Sequence, residues 1–244
     1  MKTLAYVVFA TLGAGCMTDS GEEGPIITQG GPPTMGTPVS QSSISGRLCR
    51  ADDLRDLTVC STTADSGGMT VTLGDAAAVT APDGSFRIDV PAGLTNQLNP
   101  TFSVTGPGVV PTTFPISLPF TGDTVPIVDA DLYARMMTSH GVMLAPGTGS
   151  ILATVRDDAG PMAGVNVTTT PTSAFGPFFD GSTSTSWGLD GTGMRGAVWI
   201  PGLTAGTVDL SYSHIAGGLS TNVAGVSVRN GGVTIIDTTF PTTF

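Results

Sequence analysis

Val79-Thr80-Ala81-Pro82-Asp83-Gly84-Ser85-Phe86-Arg87-Ile88-Asp89-Val90-Pro91-Ala92-Gly93 decides the fold. Asp83-Gly84 is a tight-turn dipeptide, and Phe86, Ile88 and Val90 then alternate with Arg87 and Asp89. Alternation of period two after such a turn predicts a hairpin strand with one buried face. Pro91-Ala92-Gly93 ends it. Shorter alternating runs stand on either side, at Ser43-Ile44-Ser45-Gly46-Arg47-Leu48, Met69-Thr70-Val71-Thr72-Leu73 and Thr101-Phe102-Ser103-Val104. Thr124 to Leu132 supplies a further strand.

The same order recurs downstream. Ser150 to Gly160 reads as strand and turn, and Pro161-Met162-Ala163-Gly164-Val165-Asn166-Val167-Thr168 leads into the next strand. Gly196-Ala197-Val198-Trp199-Ile200-Pro201, with Thr204-Ala205-Gly206, matches the Phe86 strand and Pro91-Ala92-Gly93. Val233 to Phe240 closes the chain as Val125 to Leu132 closes the first half. Repeated supersecondary units at long spacing point to tandem copies of one architecture.

Composition agrees. Lys2 is the only lysine, and Glu22 and Glu23 are the only glutamates, so residues 42–244 lack both. Surface helices depend on Lys and Glu for propensity and for i,i+4 pairs. Thr and Val suit strands, and the 34 Gly and 18 Pro punctuate turns. The expected fold is all-β: two tandem Greek-key β-sandwich domains, residues 42–132 and 149–244. Between them, Ala130 to Leu144 is the best helical stretch, with Asp131 placed to cap it and Gly141 to stop it. Residues 133–148 are therefore assigned as a short helical connector. Its methionines suit either gap-filling at a junction or a partner-binding patch.

These turn signatures resemble the carboxypeptidase regulatory-like domain, a prealbumin-like (Ig-like) β-sandwich family. Asp83-Gly84-Ser85-Phe86 with Pro91-Ala92-Gly93 carries the likeness in the first half, and Pro161 to Val167 with Thr204-Ala205-Gly206 in the second. The second half has Met194-Arg195-Gly196-Ala197 where the family has Asp-Gly-x-Phe. The first half has a Cys-flanked loop in place of Pro-x-x-Gly. The resemblance implies an accessory, non-catalytic domain.

The N-terminus gives the compartment. Lys2, then Leu4 to Leu12, then Gly13-Ala14-Gly15-Cys16 has the basic start, short apolar core and small residues of a secretory leader. That core is too short to span a bilayer, which takes about 20 residues. The segment resembles the bacterial lipobox, with residues 1–15 as signal peptide and Cys16 as the lipidated residue. Leu12 lies four positions before Cys16, where the pattern prefers three. The alternative is an ordinary cleaved leader followed by a free Cys16. Lipidation implies a membrane partner through the N-terminal anchor, and Met17 in place of Asp favours the outer membrane. Residues 16–41, rich in Gly, Pro, Thr and acids, are expected to form a disordered tether.

Charge and residue inventory exclude several classes. A formal net charge of −10 without a basic cluster argues against nucleic acid as a partner. Cys49 and Cys60, the two cysteines besides Cys16, are expected to pair across a charged loop. Their spacing fits neither a CxxC redox motif nor a zinc cluster. A zinc peptidase needs His and Glu ligands, yet the chain has only His140 and His214, and both glutamates lie in the tether. No Gly-x-Ser-x-Gly elbow is present. Asp52-Asp53, Asp157-Asp158 and Asp129/Asp131 read as solvated turns. Asp180-Gly181-Ser182 and Asp190-Gly191-Thr192 do not match a calcium-loop spacing. No catalytic residue, metal or cofactor is expected. The distinctive surface feature is the loop 171–195. Phe175, Phe178, Phe179 and Trp187 there would either form a platform for a glycan or protein ligand, or fold back over an open end of the sandwich.

Overall fold

The computed structural model describes residues 43–61, 65–94, 100–118, 120, 124–181 and 186–240. The leader, Cys16 and the tether lie outside these residues. Eight strands form the first half: β1 (Ser43–Asp53), β2 (Asp56–Cys60), β3 (Thr70–Leu73), β4 (Ala76–Val79), β5 (Ser85–Asp89), β6 (Thr101–Thr105), β7 (Thr112–Pro115) and β8 (Thr124–Ile127). Helix α1 (Ala130–Ser139) follows. The second half holds β9 (Thr148–Asp157), β10 (Gly160–Pro161), β11 (Val165–Thr170), β12 (Phe178–Phe179), β13 (Ala197–Thr204), β14 (Gly206–His214), β15 (Ser220–Val228) and β16 (Val233–Thr239). The fold is all-β apart from α1 and one short 3-10 turn among the described residues.

The internal repeat is visible in the pairing. In the first half β1 lies between antiparallel β5 and parallel β8, and β6 lies between β3 and β7. In the second half β9 lies between antiparallel β13 and parallel β16, and β14 lies between β11 and β15. The hairpin β1–β2 corresponds to β9–β10. Each half is thus a two-sheet sandwich whose first and last strands run parallel.

The turn that decided the fold is also repeated. Gly84 has φ 82° and Gly196 has φ 64°, a region that disfavours side chains. The Gly84 carbonyl accepts from the Leu48 N–H at 2.9 Å, and the Gly196 carbonyl accepts from the Val155 N–H at 2.8 Å. Arg195-Gly196-Ala197-Val198 therefore makes the turn made by Asp83-Gly84-Ser85-Phe86, with Arg195 in the place of the aspartate and one residue on from the match the sequence suggests.

The halves are joined edge to edge. β16 pairs in parallel with β7 at Val233↔Thr112 and Thr234↔Thr113. This single contact fuses the β7-β6-β3-β4 layer to the β12-β13-β9-β16 layer in one nine-stranded sheet. The described residues accordingly fall in one compact unit.

Fusion buries the β13–β9–β16 layer on both faces. Val198, Ile200, Ile151 and Ile236 point into the second core; Trp199, Leu152, Val233 and Ile235 point into the first. A strand covered on both faces reads as a continuous apolar run. β13 follows that rule, buried from Ala197 to Leu203.

Helix α1 caps the junction. Asp129, with extended φ −65° and ψ 131°, accepts from the Asp131 and Leu132 N–H groups. The cap is therefore Asp129 and not Asp131, which sits in the first turn where its charge suits the helix dipole. Gly141, at φ 64°, follows the last turn, so residues 142–148 are not helical. Tyr133 and Met136 are its buried residues and belong to the first core, where the Tyr133 ring meets Trp199 of β13 and its hydroxyl meets that of Ser150 of β9.

Candidate binding cleft

Cys49 and Cys60 are disulfide-bonded, with Cα atoms 5.3 Å apart. The bond ties the end of β2 to β1. Arg50, beside it, donates to the Asp65, Gly108 and Pro107 carbonyls and pairs with Asp129 at 3.1 Å. The charged loop between the cysteines thus anchors the helix cap as well as a turn. Burial alone would raise the Asp129 pKa. Hydrogen bonds from the Leu132 N–H, Arg50 and the Asp131 N–H outweigh it and hold the group below the usual carboxylate value.

The aromatic loop turns inward. Phe178 stacks on Trp199 with ring centroids 5.0 Å apart, and Trp187 approaches the same indole at 6.1 Å. His140 meets both Phe178 and Trp199 edge-on, and Tyr133 meets Trp199 edge-on. Trp199 is fully buried. Phe179 points to the opposite face of β12 and is buried in the second core. Phe175 packs on the first core, close to Gly202. The four loop aromatics are therefore shared between two cores, at the junction under α1 and not over a sandwich end. The His140 ring is part of this junction, and its Nδ1 lies 3.0 Å from the Met136 carbonyl.

Asp180 closes the loop. It is 3 % exposed, and its carboxylate accepts from the backbone N–H groups of Gly193 (2.6 Å), Arg195 (2.8 Å) and Ala197 (3.2 Å). A carboxylate ringed by N–H donors is oriented against a cation. Thr192 similarly spends its hydroxyl on the Val165 N–H and the Met162 carbonyl. No group of three or more metal-ligating side chains occurs among the described residues. Gly193 lies so close to the Gly181 carbonyl that a Cβ would collide with it.

A cleft of about 800 Å³ opens between the halves, within the range of small-ligand and short-peptide sites. Nothing local in the sequence marks it, because its walls come from six strands. Its origin is the fusion. After Thr234 and Thr113 the parallel pair ends, and β16 and β7 diverge. Phe114, Pro115 and Ile116 line one wall; Ile235, Ile236 and Asp237 line the other. Ile235 belongs to the first core and Ile236 to the second. Consecutive strand residues point to opposite faces, so a cleft lined by both meets β16 at its edge.

Three of the chain's eight arginines line this cleft: Arg55, Arg156 and Arg195. Asp53 receives two of them. Arg55 donates to it from Nε at 2.9 Å and Nη2 at 2.7 Å, and Arg195 donates through Nη1 in a short contact. This shared carboxylate latches the β1–β2 hairpin of the first sandwich to the loop before β13 of the second. Burial would raise the Asp53 pKa. The bonds from the Arg55 side chain and backbone and from Arg195 outweigh it, so the group lies below the usual value. Among the described residues the Arg156 side chain makes one polar contact, Nη2 to Asp237 at 2.9 Å, with side chains 46 % and 60 % exposed.

No family model and no curated protein matches the chain. Among solved structures, the shaft pilin SpaA from Lactobacillus rhamnosus GG aligns at TM-score 0.24 and 10 % identity, covering 83 % of this chain and 99 % of that one. GBS52, the minor pilin of Streptococcus agalactiae, aligns at TM-score 0.27 and 12 % identity, with coverage of 84 % and 98 %. The Bacillus anthracis TIE protein aligns at TM-score 0.24 and 14 % identity, covering 82 % of this chain and 34 % of that one. Scores of this size carry neither a fold nor a function across.

Proposed function

We propose that this protein is an exported, non-catalytic lipoprotein of the bacterial cell envelope, held at the outer membrane through Cys16 and serving a structural, adhesive or binding role. The observation that carries the reading is the Cys49–Cys60 bond. Structural disulfides persist in oxidising compartments, and this one leaves Cys16 as the one cysteine of the sequence outside it. Acylation of Cys16 would account for this third cysteine and supply the two chains that stable anchoring takes. The fused pair of carboxypeptidase regulatory-like sandwiches is then the cargo of the anchor.

Intact mass of the mature N-terminus tests this reading, alongside fractionation of a Cys16→Ser variant. The expected result is a diacylated Cys16 in the membrane fraction and a soluble variant. An unacylated Cys16 in mature protein, or a cut elsewhere, overturns the anchor. Hydrolysis of any panel substrate, lost on a single Asp or Ser substitution, overturns the non-catalytic role.

A second reading is an accessory protein binding a glycan or peptide beside a separate enzyme; in loop 171–195 Phe178 and Trp187 pack on Trp199 and stay half-buried, which leaves less ring surface for a ligand. The cleft is a better-formed place for such binding.

A further inference from the structure

We infer that the cleft between β7 and β16 is a slot for one extended polypeptide strand, which adds to the free edge of β16 and carries a carboxylate towards Arg156 and Arg195. The inference rests on the binding role proposed above and is independent of the lipid anchor.

The split sheet carries the argument. β16 runs for seven residues, Val233–Thr239, and pairs with β9 along all of them. Its other edge pairs with β7 at Val233 and Thr234 alone. Beyond Thr234 that edge has no strand partner among the described residues. The five remaining residues span about 17 Å at the usual rise of a strand. A row of alternating N–H and C=O groups is matched by another polypeptide backbone. A sugar ring or an acyl chain lacks that repeat.

The opposite wall cannot fill the slot. β7 ends at Pro115, which has no N–H to donate across the gap. Phe114 and Ile116 instead give an apolar wall facing Ile235, suited to the alternating side chains of an inserted strand.

The arginines select the occupant. Each guanidinium has five N–H donors. Arg156 spends one nitrogen on Asp237, and Arg195 spends Nη1 on Asp53. Asp53, Asp56 and Asp237 balance the three arginines in charge but not in donors. Both Arg156 and Arg195 remain partly exposed at the rim. An acidic or C-terminal carboxylate is the acceptor that planar guanidinium donors fit best.

The test uses the full chain and a fluorescein-labelled heptapeptide of alternating Val and Thr, ending in Glu with a free C-terminus. Two controls accompany it: the same peptide with Lys and a C-terminal amide, and the same peptide N-methylated at alternate residues. Binding is read by fluorescence polarisation, and amide exchange is followed over residues 233–240. The parent peptide is expected to bind at least tenfold more tightly than either control, and to slow exchange at Ile235–Thr239 at least tenfold. Arg156→Glu, a substitution at an exposed pair, is expected to weaken binding at least tenfold, and Arg195→Gln severalfold. Equal binding by the N-methylated peptide would show side-chain contact without strand addition and overturns the inference. So does unchanged exchange at β16, or capture by a glycan panel without peptide binding. If no peptide binds while Cys16 is acylated and the chain is inert as an enzyme, the slot falls and the envelope role stands.

Discussion

Replacing Asp180 should unfasten the loop that carries the second copy of the deciding turn. Its carboxylate is 3 % exposed and satisfies three backbone N–H groups, at Gly193, Arg195 and Ala197. Hydrogen bonds to a charged acceptor contribute about 1.5–3 kcal/mol each, and a buried donor left unpaired costs about 1–3 kcal/mol. The long 3.2 Å bond to Ala197 counts for little, and Ala removes the cost of burying a carboxylate. Asp180→Ala should therefore destabilise by roughly 3–5 kcal/mol. For a domain of this size that is roughly 6–20 °C in Tm. Asp180→Asn keeps one acceptor oxygen but turns an amide NH₂ towards a backbone N–H, so its loss should fall between. Asp190→Asn, on the exposed part of the same loop, should change stability by no more than about 0.5 kcal/mol. Calorimetry gives the magnitudes, and amide exchange over residues 193–197 gives the location. A melting shift under about 2 °C for Asp180→Ala would refute the reasoning, because 1 kcal/mol corresponds to at least that much.

Three further outcomes are expected. Trp199→Ala, at a fully buried ring contacted by Tyr133, His140, Phe178 and Trp187, should cost about 3–5 kcal/mol and abolish most near-ultraviolet dichroism; a loss under about 1 kcal/mol would mean the junction repacks freely. Joint Cys49→Ala and Cys60→Ala substitution opens a loop of sequence separation 11 and should lower stability by about 3 kcal/mol in urea, matching the reduced parent; a parent that does not change on reduction contradicts this. Asp53 has a depressed folded pKa, so its contribution is present above the unfolded value of about 3.9 and lost as pH falls through the folded value. Stability should thus drop on acidification below about pH 4, more shallowly in Asp53→Asn, and parallel acid profiles for the two proteins would dismiss the latch.

Local chemistry made the repeat legible. Asp83-Gly84 and the alternation after it need no distant partner, since Asp83 accepts from the Ser85 N–H and hydroxyl two residues away. The equivalent turn at Gly196 was matched only by its strand, because Asp180, its carboxylate, lies 15 residues before Arg195. The aromatic loop carried a usable signal. Adjacent Phe178 and Phe179 in an extended segment must point to opposite faces, which is incompatible with four rings on one platform. Ala197 to Leu203 carried another: a strand without alternation is covered on both faces. The helix cap slipped by two residues because Asp129 and Asp131 are equally good caps by type. The cleft left no trace in the sequence, since Thr112-Thr113 and Val233-Thr234 look like any strand ends.

The way the two sandwiches join explains why a slot exists at all. Each repeat alone would leave β7 and β16 as free edges, since β7 is the last strand of one layer and β16 the last of another. Free edges invite pairing between chains, and proteins cover, shorten or charge them. Fusing these two edges removes both liabilities at the cost of one mismatch. β7 has four residues and stops at Pro115, whereas β16 has seven. On its β7 side the surplus of β16 has no strand partner among the described residues, but it lies within a cleft walled by the β1–β2 hairpin and latched by Asp53 between Arg55 and Arg195. An open edge at the surface would be a template for pairing with another chain. A recessed edge has room for a single strand and excludes a folded sheet, so the feature that guards this edge against another chain's sheet is the one that would leave a place for a peptide.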